Sequence, residues 1–104
     1  MMTVEAFRRS LSDAGPPEEL DLALQALWWA GTGDWDCAHG CAQQREGDPD
    51  CDWVHAHLHR VEGDLPNAGY WYRRAGQPVA TTPLREEWAA IAARLLSRDG
   101  AVGR

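Results

Sequence analysis

Long apolar runs are missing from this sequence of 104 residues. No segment is long and apolar enough to cross a bilayer as a helix, and the N-terminal residues lack the apolar region of a secretory signal peptide. We therefore expect a cytoplasmic protein without a membrane partner. Its length is that of one small domain, 1–104, which is large enough to bury a core without a metal ion or a disulfide.

Positive charge is also scarce. Lysine and arginine together number 10 against 16 aspartates and glutamates, so the formal net charge is −6. Binding to the phosphate backbone of a nucleic acid needs a basic surface, and this balance therefore argues against a nucleic-acid partner. The short basic pairs Arg8-Arg9 and Arg73-Arg74 stand among acidic residues.

The catalytic motifs with a clear mechanism are absent as well. The sequence has no glycine-rich phosphate loop, no HExxH motif and no serine in a nucleophile-elbow context. His55, His59 and Tyr70 are the least unsuitable catalytic candidates. We expect no catalytic residue and no cofactor.

Cysteine and histidine leave two interpretations open. Cys51, His55 and His59 are spaced by four, so they can project along one side of a helix, and His39 lies nearby in sequence. Such side chains could bind zinc, although no Cys-x2-Cys knuckle is present. The favoured interpretation makes the cysteines core residues and places His55 and His59 between helices, each with a hydrogen-bond partner, while His57 points elsewhere.

What the sequence does contain is a stretch that occurs twice. Gly63-Asp64 opens a segment with Ala68, Trp71, Tyr72 and Ala75 on one helical face, and Gly33-Asp34 opens a similar segment about 30 residues earlier. Both aspartates are placed to cap a helix. Apolar stripes precede both turns and predict a helix before each; their members are Leu20, Ala23, Leu24, Leu27 and Trp28 in the first, and Val54, Leu58 and Val61 in the second.

The repeated unit resembles the tetratricopeptide (TPR) repeat and the related Sel1-type repeat. Ala68-x3-Tyr72 fits the small-residue and aromatic spacing of the second helix of such a repeat. Ala26 and Ala56 stand where the first helix has a small residue, and Trp29 stands where it has an aromatic. The departures are Leu22 and Asp52 near the helix starts, His59 at an aromatic position and Ala42 opposite Tyr72.

The resemblance, which covers roughly Leu20 to Gln77, implies an all-α fold of TPR-like stacked helical hairpins. The two repeats are expected at about 17–47 and 49–77, with capping helices at about 3–12 and 83–98. We expect Pro17 to open the first helix of the first repeat, and Thr82 and Pro83 to start the last helix. The end of the chain, 99–104, is expected to fray.

The same resemblance implies a scaffold module that binds a protein or peptide, with the first helices of the repeats lining a groove. The predicted groove residues include Ala30 in the first repeat and Val61 in the second. The predicted anchors are Trp53, His57 and Arg60 on the groove side, and Tyr70, Arg73 and Arg74 on the outer face of the following helix. Because the groove side of the first repeat is very apolar, either the N-terminal helix or a second copy of the chain should cover it, and we expect a homodimer. The alternative is a small-molecule or metal-binding protein, or an enzyme, that uses the helix carrying His55, His57 and His59.

Overall fold

The fold is built from helices joined by short turns. The computed structural model describes the backbone of residues 2–102 and the side chains of residues 2–98. Within that part of the chain the α-helices are α1 (Val4–Arg9), α2 (Leu22–Thr32), α3 (Trp35–Gln43), α4 (Pro49–Val61), α5 (Leu65–Ala75) and α6 (Leu84–Val102), and a short 3-10 turn, Ser10–Ser12, follows α1. No strand occurs in these residues, so the all-α prediction is confirmed. None of the helices described has both the length and the apolar composition of a bilayer span.

Two of the turns between helices have the same geometry. Helix α2 ends at Gly33 with φ at 89°, and α4 is followed by Gly63 with φ at 85°. The N–H groups of these glycines donate to the carbonyls of Ala30 and Arg60, each over 3.1 Å. A left-handed glycine of this kind closes a helix without the steric cost that a Cβ atom would add. The glycines of the repeated stretch therefore stop one helix and redirect the chain into the next.

The aspartates after these glycines begin the following helices. The Asp34 carboxylate accepts the N–H of Cys37 over 3.1 Å, and the Asp64 carboxylate accepts the N–H of Asn67 over 3.3 Å. Each bond satisfies an amide that has no partner within the first helical turn. The prediction that both aspartates are N-caps is confirmed.

The start of α2 differs from the prediction. Helix α2 begins at Leu22 after the N-cap Asp21, whose carboxylate accepts the N–H of Leu24 over 2.9 Å. The prediction that Pro17 opens this helix is wrong. Pro17 instead begins a turn in which its carbonyl accepts the N–H of Leu20 over 3.4 Å. A proline suits a first helical turn but caps nothing, and the aspartate supplies the acceptor that the helix start requires.

Helix α6 is longer than predicted. It begins at Leu84, one residue later than expected, with the Pro83 carbonyl accepting the N–H of Glu87 over 3.1 Å. The helix continues to Val102, past the predicted end near residue 98. Of the end that was expected to fray, Gly103 and Arg104 lie outside the described residues.

Two apolar clusters hold the helices together, and α4 contributes to both. The larger cluster joins α1, α2, α3, α4 and α6, whereas the smaller one lies between α4 and α5. Helix α6 packs against α1, α2 and α4. The smaller cluster consists of Ala56, Ala68, Trp71 and Tyr72.

Indole rings supply much of the packing in the larger cluster. Phe7 stacks on Trp88 with ring centroids 5.3 Å apart. The Trp88 indole N–H donates to the Leu27 carbonyl over 2.8 Å, and the Trp35 indole N–H donates to the Leu58 carbonyl over 2.7 Å. A buried indole needs such an acceptor, so these bonds allow large side chains to fill a small core without an unpaired donor.

Candidate functional site

Helix α4 is buried on most of its surface, and four of its buried side chains are polar. One of these, Asp52, is accounted for because its carboxylate oxygens accept the N–H of Gly47 over 3.1 and 3.2 Å. The others are His55, His57 and His59. Their alternation along the helix places His57 toward α6 and the other two toward α3 and α5, so α4 presents two different polar sites.

The first site is a buried network around Glu87 of α6. The Nδ1 atom of His57 lies 2.8 Å from Oε1 of Glu87, and a guanidinium nitrogen of Arg60 lies 3.0 Å from the same oxygen. The Tyr72 hydroxyl donates to the other carboxylate oxygen. A further Arg60 nitrogen donates to the Thr82 carbonyl. The carboxylate is only 4% exposed, but it has partners from α4 and α5, as a buried charge requires.

The protonation states in this network follow from those contacts. Burial would raise the pKa of Glu87, but hydrogen bonds from His57, Tyr72 and Arg60 outweigh it and hold that pKa below its ordinary range. Burial, and then the hydrogen bond to Glu87, raise the pKa of Tyr72. At neutral pH the glutamate is therefore an anion that accepts from a neutral tyrosine, an arrangement that stabilises the fold.

An open groove lies next to this network, between α1, α2, α4 and α6. Its volume is about 720 Å³. Val61 and Leu84, which are 45% and 40% exposed, form part of its apolar wall with Trp88. Arg8 and Arg85 stand at its edge. The groove thus combines an apolar floor with positive charge, in a protein whose net charge is negative.

The second site is a cluster of imidazoles on the other side of α4. The ring centroids of His39 and His55 are 4.6 Å apart, those of His55 and His59 are 4.9 Å apart, and those of His39 and His59 are 5.5 Å apart. One nitrogen from each ring can be chosen so that all three atoms lie within 4.8 Å of one another. Three potential ligand atoms from two helices therefore converge.

Aromatic rings hold two of these histidines in place. His55 stacks on Trp71 of α5 with centroids 3.8 Å apart, and His39 stacks on Trp35 of α3 with centroids 4.6 Å apart. The stacking partners limit the range of ring positions, so the rings lie close together before any ligand arrives.

The surroundings keep two of the imidazoles neutral. Burial, followed by the neighbouring His39, His59 and Arg74, lowers the pKa of His55 to about 3. Burial, followed by His59, lowers the pKa of His39, against a smaller opposing effect of nearby carboxylates. A neutral imidazole keeps one nitrogen lone pair free to accept a hydrogen bond or bind a metal ion.

The third histidine has a carboxylate partner. The Nδ1 atom of His59 lies 2.6 Å from Oε1 of Glu62, one turn further along the chain. In the tautomer that donates Nδ1–H to Glu62, the Nε2 lone pair is available. A carboxylate in this position fixes both the ring orientation and the tautomer.

Cys51 does not complete this cluster, although it was grouped with His55 and His59 in the zinc alternative. Among the described side chains, the group of ligand atoms around these histidines contains His39 instead. Cys51 belongs to the larger apolar cluster, and burial, then its hydrogen bond with Asp48, raise the pKa of its thiol to about 12. A thiol held protonated is a poor metal ligand, so the cysteine is better described as a core residue.

The predicted anchors fall into two groups. Tyr70, Arg73 and Arg74 are exposed on α5, and the Arg74 guanidinium lies over the Trp71 ring, 4.8 Å from its centroid. The groove-side anchors are less exposed than these. Trp53 packs against both core clusters, and Glu87 pairs with Nδ1 of His57 and with one guanidinium nitrogen of Arg60. The reason is that α6 covers this face of α4 and brings a carboxylate to it.

Glu87 was not predicted as a site residue, although its position in the sequence indicates that it is buried. It lies three residues after Leu84 and four before Ile91, so it occupies an apolar-stripe position of α6. A carboxylate at such a position indicates a buried partner. His39 was noted only as a neighbour in sequence, because its approach to α4 depends on how α3 packs.

Comparison of the chain with protein-family models, with curated proteins and with solved structures found no match.

Proposed function

We propose that this chain is a peptide-binding scaffold module of the TPR-like helical-repeat type. Its groove between α1, α2, α4 and α6 would hold a short apolar segment of a partner protein that also carries an acidic side chain. The observation that carries this proposal is the groove of about 720 Å³ with an apolar floor and arginines at its edge. Its location in the cytoplasm stays a prediction.

The repeated unit supports the choice of fold type. Two helical pairs, α2–α3 and α4–α5, are joined by turns in which Gly33 and Gly63 adopt the same left-handed conformation and the next aspartate caps the second helix. The two helices of each pair pack against each other, and α3 packs against α4. Stacking of successive pairs is the arrangement expected of helical repeats, and α1 and α6 would serve as its capping helices.

The size of the groove favours a short segment over a folded partner. Pockets that enclose a small ligand have volumes of roughly 300–1,000 Å³, and this one lies within that range. Ala30 and Val61, predicted as groove residues from the sequence, both line it. Apolar side chains of the partner would displace water from this floor, which is the main favourable contribution to such binding.

Positive charge at the groove favours an acidic side chain in the proposed ligand. Arg8 and Arg85 are exposed at the edge of the groove, and the Arg8 guanidinium lies 5.9 Å from the centroid of the Trp88 ring. Glu86 is the acidic residue among the groove-lining side chains described. A carboxylate on the peptide would meet the arginines, and charge-assisted hydrogen bonds of this kind add both affinity and orientation.

Panning of a random peptide library against the immobilised full-length chain tests this proposal. We expect enriched peptides that pair an apolar residue with an aspartate or glutamate, and we expect Val61→Glu to weaken their binding at least about tenfold because it places a charge in the apolar floor. Val79→Glu is the matched control, since Val79 is also exposed but does not line the groove. Binding should be measured by fluorescence anisotropy with labelled peptides.

A second pair of variants tests the charge argument. Arg85→Glu should weaken binding of the acidic peptides, whereas Arg94→Glu, an exposed arginine further along α6, should not. Failure to enrich any peptide, or equal losses in groove and control variants, contradicts the proposal. Light scattering distinguishes another occupant: a wild-type dimer that Val61→Glu converts to a monomer would assign the groove to a second copy of the chain.

A further inference from the structure

The imidazole cluster on α3 and α4 takes no part in the proposed peptide groove. His57 is the only histidine that lines the groove among the described residues, and His39, His55 and His59 lie on the other side of α4. Any property of the cluster can therefore be tested separately from peptide binding.

One atom of the cluster lacks a partner. The Nδ1 atom of His55 is buried, on a residue that is 2% exposed, and it has no hydrogen-bond partner among the described residues. Leaving a buried polar atom unpaired costs roughly 1–3 kcal/mol. His57, two residues along, has a carboxylate partner at 2.8 Å. The same helix therefore gives one buried histidine a partner and leaves an unpaired nitrogen on His55, a residue of the cluster.

Neighbouring side chains orient His59 for a ligand. Glu62 occupies Nδ1 of His59 at 2.6 Å, which directs the free lone pair to Nε2. The Asn67 side-chain nitrogen lies 3.5 and 3.4 Å from the two ring nitrogens of His59. Because these distances are nearly equal, the amide does not lie along the outward lone pair of either nitrogen. Nε2 therefore remains available, with a carboxylate on the opposite nitrogen.

The ring spacing suits a single small cation. Zinc–imidazole bonds of about 2.0–2.1 Å place the centroids of rings on one tetrahedral ion roughly 5 Å apart. The observed spacings of 4.6, 4.9 and 5.5 Å bracket that value. The ligand nitrogens, now within 4.8 Å of one another, would approach to roughly 3.3 Å on such an ion, which side-chain rotations can accomplish.

We propose that His39, His55 and His59 bind one divalent transition-metal ion of the zinc type, with Glu62 as the carboxylate that orients His59. Imidazole is a borderline ligand that suits zinc, nickel and copper better than magnesium or calcium. Three protein ligands leave one tetrahedral position for water or another donor. The site joins α3 to α4, so the ion would also link the two helical pairs.

A carboxylate stands next to the proposed ligands. Glu62 lies 2.6 Å from Nδ1 of His59, and negative charge beside the cluster favours a bound cation.

The test uses the full-length protein stripped of metal with EDTA and titrated with Zn²⁺ in a calorimeter and with Co²⁺ by visible absorption. We expect one ion per chain and a Co²⁺ spectrum of low coordination number. His39→Gln should weaken binding at least about tenfold, and Glu62→Gln should weaken it about tenfold, in line with the usual cost of losing an outer-shell carboxylate. His39 is half-buried on α3, so this variant should fold; circular dichroism checks that it does.

Two control variants show whether a loss of zinc binding is specific to the imidazole cluster. His57→Gln removes a buried histidine of the same helix that lies outside the cluster, and Cys51→Ala removes the thiol of the alternative ligand set. Both should bind Zn²⁺ within a few-fold of the wild type. Absence of micromolar binding by the wild-type chain, equal weakening in His39→Gln and His57→Gln, or loss of binding in Cys51→Ala would each overturn the proposal. None of these outcomes affects the peptide-binding proposal.

Discussion

Helix α4 meets α6 and α3 through histidines that are equally buried but differently partnered. On the α6 side, His57 shares the Glu87 carboxylate with Arg60 and Tyr72. On the α3 side, His55 contacts other imidazoles and an indole, and its Nδ1 atom is unpaired among the described residues. Burial alone therefore does not distinguish a structural histidine from one that can bind a ligand.

The two sides of α4 differ in whether their buried polar atoms have hydrogen-bond partners. A buried network with all its partners stabilises one conformation, and a partner's removal is costly. A buried nitrogen without a partner destabilises the fold until something binds to it. The comparison indicates that the buried network around Glu87 serves the fold, whereas the imidazole cluster on the α3 side is the proposed metal site, and the following predictions test this distinction.

The largest effect is expected from removal of the Glu87 carboxylate. Glu87→Ala leaves His57, Arg60 and Tyr72 without their buried acceptor, and we expect it to lower the free energy of unfolding by about 3–5 kcal/mol. Urea denaturation followed by tryptophan fluorescence measures this. Glu86→Ala, at the exposed neighbouring position, is the control and should change stability by less than about 0.5 kcal/mol. Similar losses in the two variants would show that the network contributes little.

The next effect is stabilisation by metal on the α3 side. With free Zn²⁺ at about 100 times its dissociation constant, the folded wild type should gain about 2.7 kcal/mol. Thermal unfolding with and without the ion measures the gain. His39→Gln should gain much less at the same concentration. A wild-type unfolding curve that does not change with zinc contradicts the proposed site.

A smaller effect separates the two histidines in metal-free protein. His57→Leu leaves Glu87 with one partner fewer and should cost about 1–3 kcal/mol, whereas His55→Leu removes an unpaired buried nitrogen and should be neutral or stabilise the fold by up to about 1 kcal/mol. Parallel urea titrations compare the two. Equal destabilisation by both substitutions would mean that the unpaired Nδ1 atom of His55 does not destabilise the fold.

The smallest effect concerns acid stability on the α6 side. Because the pKa of Glu87 is lowered in the folded protein, the unfolded chain binds more protons at low pH. The contribution of Glu87 should be complete above the ordinary glutamate value of about 4.3 and should be lost progressively as the pH falls below it. Unfolding free energies of wild type and Glu87→Gln, measured between neutral pH and pH 3, should show a shallower decline in the variant. Parallel declines would exclude Glu87 as the source.

The features that the sequence predicted are those that depend on neighbouring residues. A helix N-cap requires only an acceptor followed by a helical turn, so Asp34 and Asp64 could be assigned in advance. The start of α2 was assigned to Pro17, and that assignment was wrong because Asp21 supplies the N-cap acceptor. Such boundary errors are expected where several start signals occur together.

The candidate sites were harder to predict because their partners are distant in sequence. The i, i+4 spacing predicted that His55 and His59 share a side of α4, but the approach of His39 depends on the packing of α3. His57 seemed available as an anchor because nothing local indicated that Glu87, thirty residues later, would pair with it. In each case the helix was predicted correctly and the partner was not.

The adjacent residues Glu87 and Trp88 have a consequence for synthesis of the protein. The Trp88 indole donates a hydrogen bond to the carbonyl of Leu27, 61 residues earlier. Glu87 contacts His57 and Tyr72, which are synthesised before it. A nascent chain that ends before α6 would expose the apolar surface that Phe7 and Leu27 contribute, with Arg60 and Tyr72 lacking their acceptor. The first five helices can form as they emerge, but they reach a stable arrangement only after α6 has left the exit tunnel.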